Sequence, residues 1–168
     1  MSKTTALAVA NFFIEKSIKE NISLDHLKLQ KLVYFSYAWW SGNHHSNYLF
    51  DEGIEAWPHG PVIRDIYVEF CQEGRNAIKK YAQQFDYETY TANIPKVDNT
   101  DIQNDLFQIW ETYKKFSGIQ LSNLTHNKDE PWYIVRSNSD ISLKPRIDPK
   151  LIQKVYKDKV EKLSNENR

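Results

Sequence analysis

Apolar residues recur every three or four positions along most of this chain, and each stretch that keeps the spacing predicts a helix burying one stripe. From Thr4 to Glu20 that stripe is Ala6, Val9, Ala10, Phe13, Ile14 and Ile18. A second helix runs from Ser23, a capping residue, to about Ser41, with Gly42 as its stop. Its apolar positions Leu27, Leu29, Leu32, Val33, Phe35, Tyr37 and Trp40 cover much of the circumference, which predicts a central helix. Pro61 suits the first turn of a third, where Ile63, Ile66, Tyr67 and Phe70 keep the spacing until Gly74. Thr100 or Asp101 caps a fourth, lined by Ile102, Leu106, Ile109, Trp110 and Tyr113 and closed by Gly118. A helical turn from Ser122 to His126 follows, then a short helix opened by Pro131-Trp132. Asp148-Pro149, an N-cap followed by proline, launches a last helix through Leu151, Ile152, Val155 and Tyr156.

The period breaks in two places. After the polar loop Asn43 to Glu52, Ile54 to Trp57 is short enough for an edge strand or hairpin arm that Pro58 terminates. Further on, Tyr81, Phe85, Tyr87 and Tyr90 point to a second short strand or irregular arm before Pro95. The pattern as a whole predicts a mainly α fold: a compact, single-domain helical bundle over residues 1–160, with a small β-hairpin or short strands around residues 53–58 and 81–91. The polar tail, residues 161–168, is expected to fray.

A length of 168 residues supports one core without a metal or disulfide. Basic and acidic residues balance at 22 each, which removes the electrostatic footprint of a nucleic-acid or anionic-membrane binder. Cys71 is the only cysteine and falls on the apolar side of a helix, so a disulfide scaffold and a cysteine zinc site are excluded and a reducing cytoplasm fits. The N-terminal residues lack the apolar run of a signal peptide and no stretch is long enough to span a bilayer, so a soluble protein with no membrane contact is expected. Five Trp and ten Tyr suit both a packed core and an interface, and composition does not separate the two.

Candidate chemistry is sparse. His26, His44, His45, His59 and His126 form none of the spacings that hold a metal, and with five glycines there is neither a phosphate cradle nor a dinucleotide fingerprint. No metal or cofactor is expected. Lys28, Gln30, Lys31 and Tyr34 line up on the second helix as a polar strip, for which a solvated helix face is the simplest account. Ser122 and Thr125 are placed to bond local backbone, and His126 to tie one loop to another. The stretch Glu55-Ala56-Trp57-Pro58-His59-Gly60-Pro61-Val62 combines residues that restrict and residues that free the backbone, so it is a shaped element, with Gly60 and Pro61 expected to set a strand-to-helix turn. His59 and His126 near a Trp-lined cleft, with Glu55 orienting one of them, would make an acid–base pair, which leaves a small hydrolase-like enzyme as one reading.

Three stretches belong together: Leu27-Lys28-Leu29-Gln30-Lys31-Leu32-Val33-Tyr34-Phe35, the Glu55 to Val62 segment, and Leu121-Ser122-Asn123-Leu124-Thr125-His126 with Pro131-Trp132. Their order and spacing resemble the SocA-like antitoxin family, also called the Panacea domain, found in bacteria and phages, from the first helix to about Tyr156. The resemblance implies a small helical domain that is not an enzyme and that neutralises a neighbouring protein toxin by direct binding. One member of the family instead delivers its toxin to a protease, so a proteolytic adaptor, with a protease as a further partner, is the alternative. Ile63-Arg64 stands where many relatives carry a second proline, and no helix-turn-helix segment is appended, so neither operator binding nor autoregulation is implied. On this resemblance Lys28, Lys31, Tyr34, Trp57, His59 and His126 are candidates for partner binding or a polar pocket. Gln30, Glu55, Pro58, Gly60, Pro61, Thr125, Pro131 and Trp132 are candidates for maintaining the scaffold.

Overall fold

A computed structural model of the chain describes residues 4–44, 47–140 and 142–167, and its first helix, α1 (Ala6–Glu20), follows the predicted stripe closely. The Thr5 hydroxyl accepts the Ala8 N–H at 3.2 Å, and Asn21 closes the helix in the left-handed region. Ile18 is the exception, 46% exposed at the last turn.

The second helix, α2 (His26–Asn43), is central as its composition predicts: α1, α4, α5, α7 and β2 all pack on it, and every residue from Lys28 to Ala38 is buried. Its cap is Asp25, whose carboxylate accepts the Lys28 N–H at 2.7 Å, so Ser23 lies outside the helix. Gly42 does not stop it. The helix continues to Asn43, and a Cβ on Gly42 would lie 2.7 Å from the backbone carbonyl carbon of Tyr156 on the last helix; glycine is present for close approach. The solvated-face reading of Lys28, Gln30, Lys31 and Tyr34 is also overturned, because neighbours enclose this helix on every side and all four side chains are buried. Of the His44-His45 pair, His44 stacks on Trp40 at 3.7 Å, while His45 lies outside the described residues.

The strand pair β1 (Ile54–Trp57) and β2 (Gly60–Ile63) forms a tight antiparallel hairpin with Pro58-His59 at its tip. Pro61, expected to open a helix, is instead the strand residue opposite Ala56. The Ala56 N–H donates to the Pro145 carbonyl at 2.7 Å and the Ile54 carbonyl accepts the Ile147 N–H at 2.8 Å, so these residues face away from β2. Alternation then turns Pro61 outward, and its missing N–H removes no ladder bond. The third helix, α3 (Arg64–Phe70), begins only after β2 and passes into a 3-10 turn, Cys71–Glu73, which carries the half-buried Cys71.

The arm predicted around residues 81–91 is a second antiparallel pair, β3 (Gln84–Asp86) and β4 (Thr91–Asn93). Asn99, not Thr100 or Asp101, caps α4 (Thr100–Tyr113), whose Ile102, Leu106, Ile109 and Trp110 face the core. Gly118 opens α5 (Gly118–Leu124) where it was expected to close α4, and the predicted turn at Ser122 proves to be the end of this helix. Ser117 caps it in a reciprocal box with Gln120. Prolines start α6 (Pro131–Ser137) and α7 (Pro149–Glu166) as predicted, and Asp148 accepts the Lys150 N–H at 2.9 Å. Residues 161–166, expected to fray, complete α7, although Leu163 is half-exposed. Among the described residues no helix is long and apolar enough to cross a membrane.

Candidate functional site

Among the described residues no strand pairs with the outer edge of β2, and a buried edge of unpaired carbonyls and amides carries a cost of about 1–3 kcal/mol per group. Side chains of α2 take the place of that strand, and side chains of α5 and α6 hold the two carbonyls at the turn. Gln30 of α2 closes a two-bond ring on Ile63, its Nε2 donating to the carbonyl at 3.0 Å and its Oε1 accepting the N–H at 2.9 Å. One residue on, Lys31 Nζ donates to the Pro61 carbonyl at 2.8 Å. The Ser122 hydroxyl of α5 donates to the His59 carbonyl at 2.7 Å, and Trp132 Nε1 of α6 donates to the Trp57 carbonyl at 2.7 Å. The carbonyls of 57, 59, 61 and 63 are thus each held by a side chain from one of the three stretches that the sequence associates.

Gly60 is where these contacts converge. Its φ of +110° lies in a region that favours glycine, and a Cβ there would come within 2.9 Å of both Lys31 Nζ and Thr125 Oγ1. Thr125 is fully buried, its hydroxyl donating to the Ser122 carbonyl at 2.6 Å. His126 stacks on Trp132 with ring centres 3.9 Å apart, and its buried Nε2 meets no hydrogen-bond partner. Burial lowers the His126 pKa, and the nearby Lys31 and His59 lower it further. Lys31 has no exposed surface and, among the described residues, no carboxylate paired with it, and burial depresses its amine to about 7.

Behind the clamp lies a second polar cluster. Tyr34 is buried beside Tyr156 and Glu130, Tyr156 donates its hydroxyl to Glu130 Oε2 at 3.0 Å, and Lys159 pairs with Glu130 Oε1. Burial pushes the Glu130 carboxyl up and both tyrosine hydroxyls well up. This cluster links the start of α6 to α7. Nothing local in the sequence announces it, since Glu130 stands 26 and 29 residues from its partners.

The candidates therefore divide. Lys31, Gln30, Gly60, Pro61, Thr125, His126 and Trp132 come together at the hairpin. Lys28 does not; in the first turn of α2, one turn before Lys31, its amine donates to the Lys114 carbonyl at 2.6 Å instead. Glu55 faces outward and binds Trp57 Nε1 at 2.7 Å and Arg64 Nη2 at 2.9 Å, so its carboxylate orients neither His59 nor His126. The acid–base arrangement drawn from His59, His126 and Glu55 loses its orienting group. Pro58 and His59 are exposed at the tip, Pro131 is buried at the start of α6, and Trp57 is half-buried between the Tyr67 ring at 4.7 Å and the Lys144 amine at 3.7 Å. Ser122 was legible only as a local cap, and its bond to His59 spans 63 residues. Among the described residues no cluster of three or more His, Cys, Asp or Glu is placed to hold a metal ion.

Chemically, the arrangement immobilises a turn: the amine, amide, hydroxyl and indole donors that could serve a substrate are bonded to main chain. Comparison with known proteins matches residues 29–133, which carry the Gln30, Lys31, Ser122 and Trp132 bonds to the hairpin backbone, to the family described as "Antitoxin SocA-like, Panacea domain". The chain is 29% identical over 163 residues to "Antitoxin SocA" of Caulobacter vibrioides (strain NA1000 / CB15N), an alignment covering 92% of this chain and 81% of that protein. No solved structure matches.

Proposed function

The chain belongs to the SocA-like antitoxin, Panacea domain family, and from that premise we propose that it is the antitoxin of a bacterial or phage toxin–antitoxin system, holding a co-encoded protein toxin inactive by direct binding in the cytoplasm. The observation that carries the reading is the family match over residues 29–133, joined to a relative named as an antitoxin. The geometry supports binding over catalysis: Lys31, Gln30, Ser122 and Trp132 direct their donors into the hairpin backbone and leave a rigid scaffold. Rigid scaffolds favour affinity because little order is lost on association.

The test is expression of the neighbouring reading frame alone and together with this chain. Growth arrest relieved by the chain, with the two proteins co-purifying, is the expected result. Arrest that persists in cells containing the folded chain refutes the proposal. Relief accompanied by a shortened half-life of the partner in protease-competent cells would transfer the mechanism from occlusion to delivery.

A further inference from the structure

Residues 81–94 form an arm that, apart from the buried Ala82 at its base, the fold leaves largely uncovered. Strand β4 is exposed throughout, β3 nearly so, and Phe85, Tyr87, Tyr90 and Ile94 are 46%, 79%, 80% and 43% exposed. A two-stranded hairpin wet on both faces is marginal by itself, so its order must come from its ends. Asn11 of α1 supplies that order. Its Nδ2 donates to the Ala82 and Pro95 carbonyls at 3.0 Å each, and its Oδ1 accepts the Ala82 N–H at 2.7 Å, joining the two legs at the base.

At the other end the chain presents rings. Phe85 meets Tyr87 and Tyr90 edge-on at 4.8 and 6.5 Å, making one aromatic cluster around the turn. Tyr90 has a φ of 53°, the left-handed region where glycine or asparagine is the unstrained choice. A bulky ring kept there, and kept in water, is local strain at an exposed tip, the kind of outlier from which a function is inferred. Between residues 81 and 94 stand two acidic side chains, Asp86 and Glu88, and no basic one. Asp86 is turned inward onto the Glu88 and Thr89 N–H groups, which leaves Glu88 as the outward charge. At the foot of the arm a cleft of about 340 Å³ is lined by Tyr81, Ile94 and Phe12 and edged by Lys16, Lys19, Lys96 and Glu15; Glu15 pairs with Lys19 at 2.7 Å, which leaves Lys16 and Lys96 as its net positive charge.

We propose that this arm is the surface that grips the protein toxin: the Phe85, Tyr87 and Tyr90 tip enters an apolar pocket rimmed by Lys or Arg, and the cationic cleft at its foot receives an acidic segment beside that pocket. The inference rests on the antitoxin reading above. Aromatic anchors on a fixed base match the way a few rings carry the energy of an interface. Negative charge at the tip and positive charge at the foot select one docking orientation.

The experiment is calorimetric titration of the purified chain with the product of the neighbouring reading frame. Replacing Tyr87→Ala and Tyr90→Gly together is expected to weaken binding about 30-fold or more, with the melting temperature unchanged or raised because glycine relieves the turn. Glu88→Lys and Lys96→Glu, which leave the rings in place, should each weaken it about five- to tenfold and reduce its salt dependence. If the unaltered chain binds and the double variant binds within about twofold of it, the arm is not the surface, and the antitoxin reading stands. If the unaltered chain does not bind the product, that reading fails and the proposal falls with it. Dissociation of a dimer of this chain on the double substitution, with toxin binding unchanged, would make the arm a self-association surface and overturn the proposal.

Discussion

Lys31 is a fully buried amine whose one hydrogen-bond acceptor among the described residues is the Pro61 carbonyl at 2.8 Å, and burial holds its pKa at about 7 against an ordinary 10.5. In the unfolded chain the same amine keeps its proton to about pH 10.5. Between these values the unfolded state binds more protons than the folded one, so stability must rise with pH, by at most about 1.4 kcal/mol per unit. The cost of the buried charge is full below pH 7, and about 2 kcal/mol of it is recovered between pH 7 and 9. Over a urea gradient this is a rise in the unfolding midpoint of about 1 M. Burial lowers His26 and His126 below this window and raises Tyr34, Tyr37 and Tyr156 above it, while Lys28, lowered by burial, and Glu130, raised by it, are common to the unaltered chain and a Lys31 variant, so the difference between the two isolates Lys31. Lys31→Met keeps the length of the side chain without the charge and should flatten the profile. Urea melts of both proteins from pH 6.5 to 9 decide the matter: a flat or falling profile in the unaltered chain, or a rise that persists in Lys31→Met, refutes the reasoning.

Other predictions follow from contacts with equally few alternatives. Gln30→Leu leaves both backbone groups of Ile63 buried and unpaired and should cost about 2–5 kcal/mol in chemical denaturation; a cost below about 1 kcal/mol would mean that water reaches the β2 edge. Gly42→Ala should cost about 2–4 kcal/mol, because a Cβ 2.7 Å from the Tyr156 backbone pushes α7 off α2 rather than displacing a flexible chain end. An unchanged melting curve would show that the two helices can separate freely. Asn11→Ala removes the three bonds at the base of the arm; amide exchange across β3 and β4 should accelerate by about tenfold or more, with a global loss of about 1–3 kcal/mol. Uniform exchange across the whole chain would place the anchor elsewhere.

The helices were legible because their cause is local. The stripe in α1, the wrapped circumference of α2 and the Asp148-Pro149 start of α7 need only neighbours within a few residues, and each is where the spacing predicts it. Boundaries were less so: Asp25, Asn99 and Ser117 cap helices that other residues could have capped equally well on local grounds. The β1–β2 hairpin was half legible. Ile54 to Trp57 had the length of a strand, but Pro61 is at home at a helix start and on an outward-facing strand edge alike, and only the pairing of Ala56 with Pro145 distinguishes the two.

The sequence alone determined the mainly α architecture, the central helix and the association of three motifs that marks the family. What those motif residues touch was decided by the tertiary structure. A buried lysine and a solvated one have the same neighbours in sequence, and a glycine read as a helix stop looks the same as one that admits another helix. Lys31 becomes a structural donor because β2 and the end of α5 close around it, and the carbonyls it and its companions satisfy become costly only once water has been removed. The exposed rings of the arm are the converse: their composition suits a core, and they stay in water because no element among the described residues covers them.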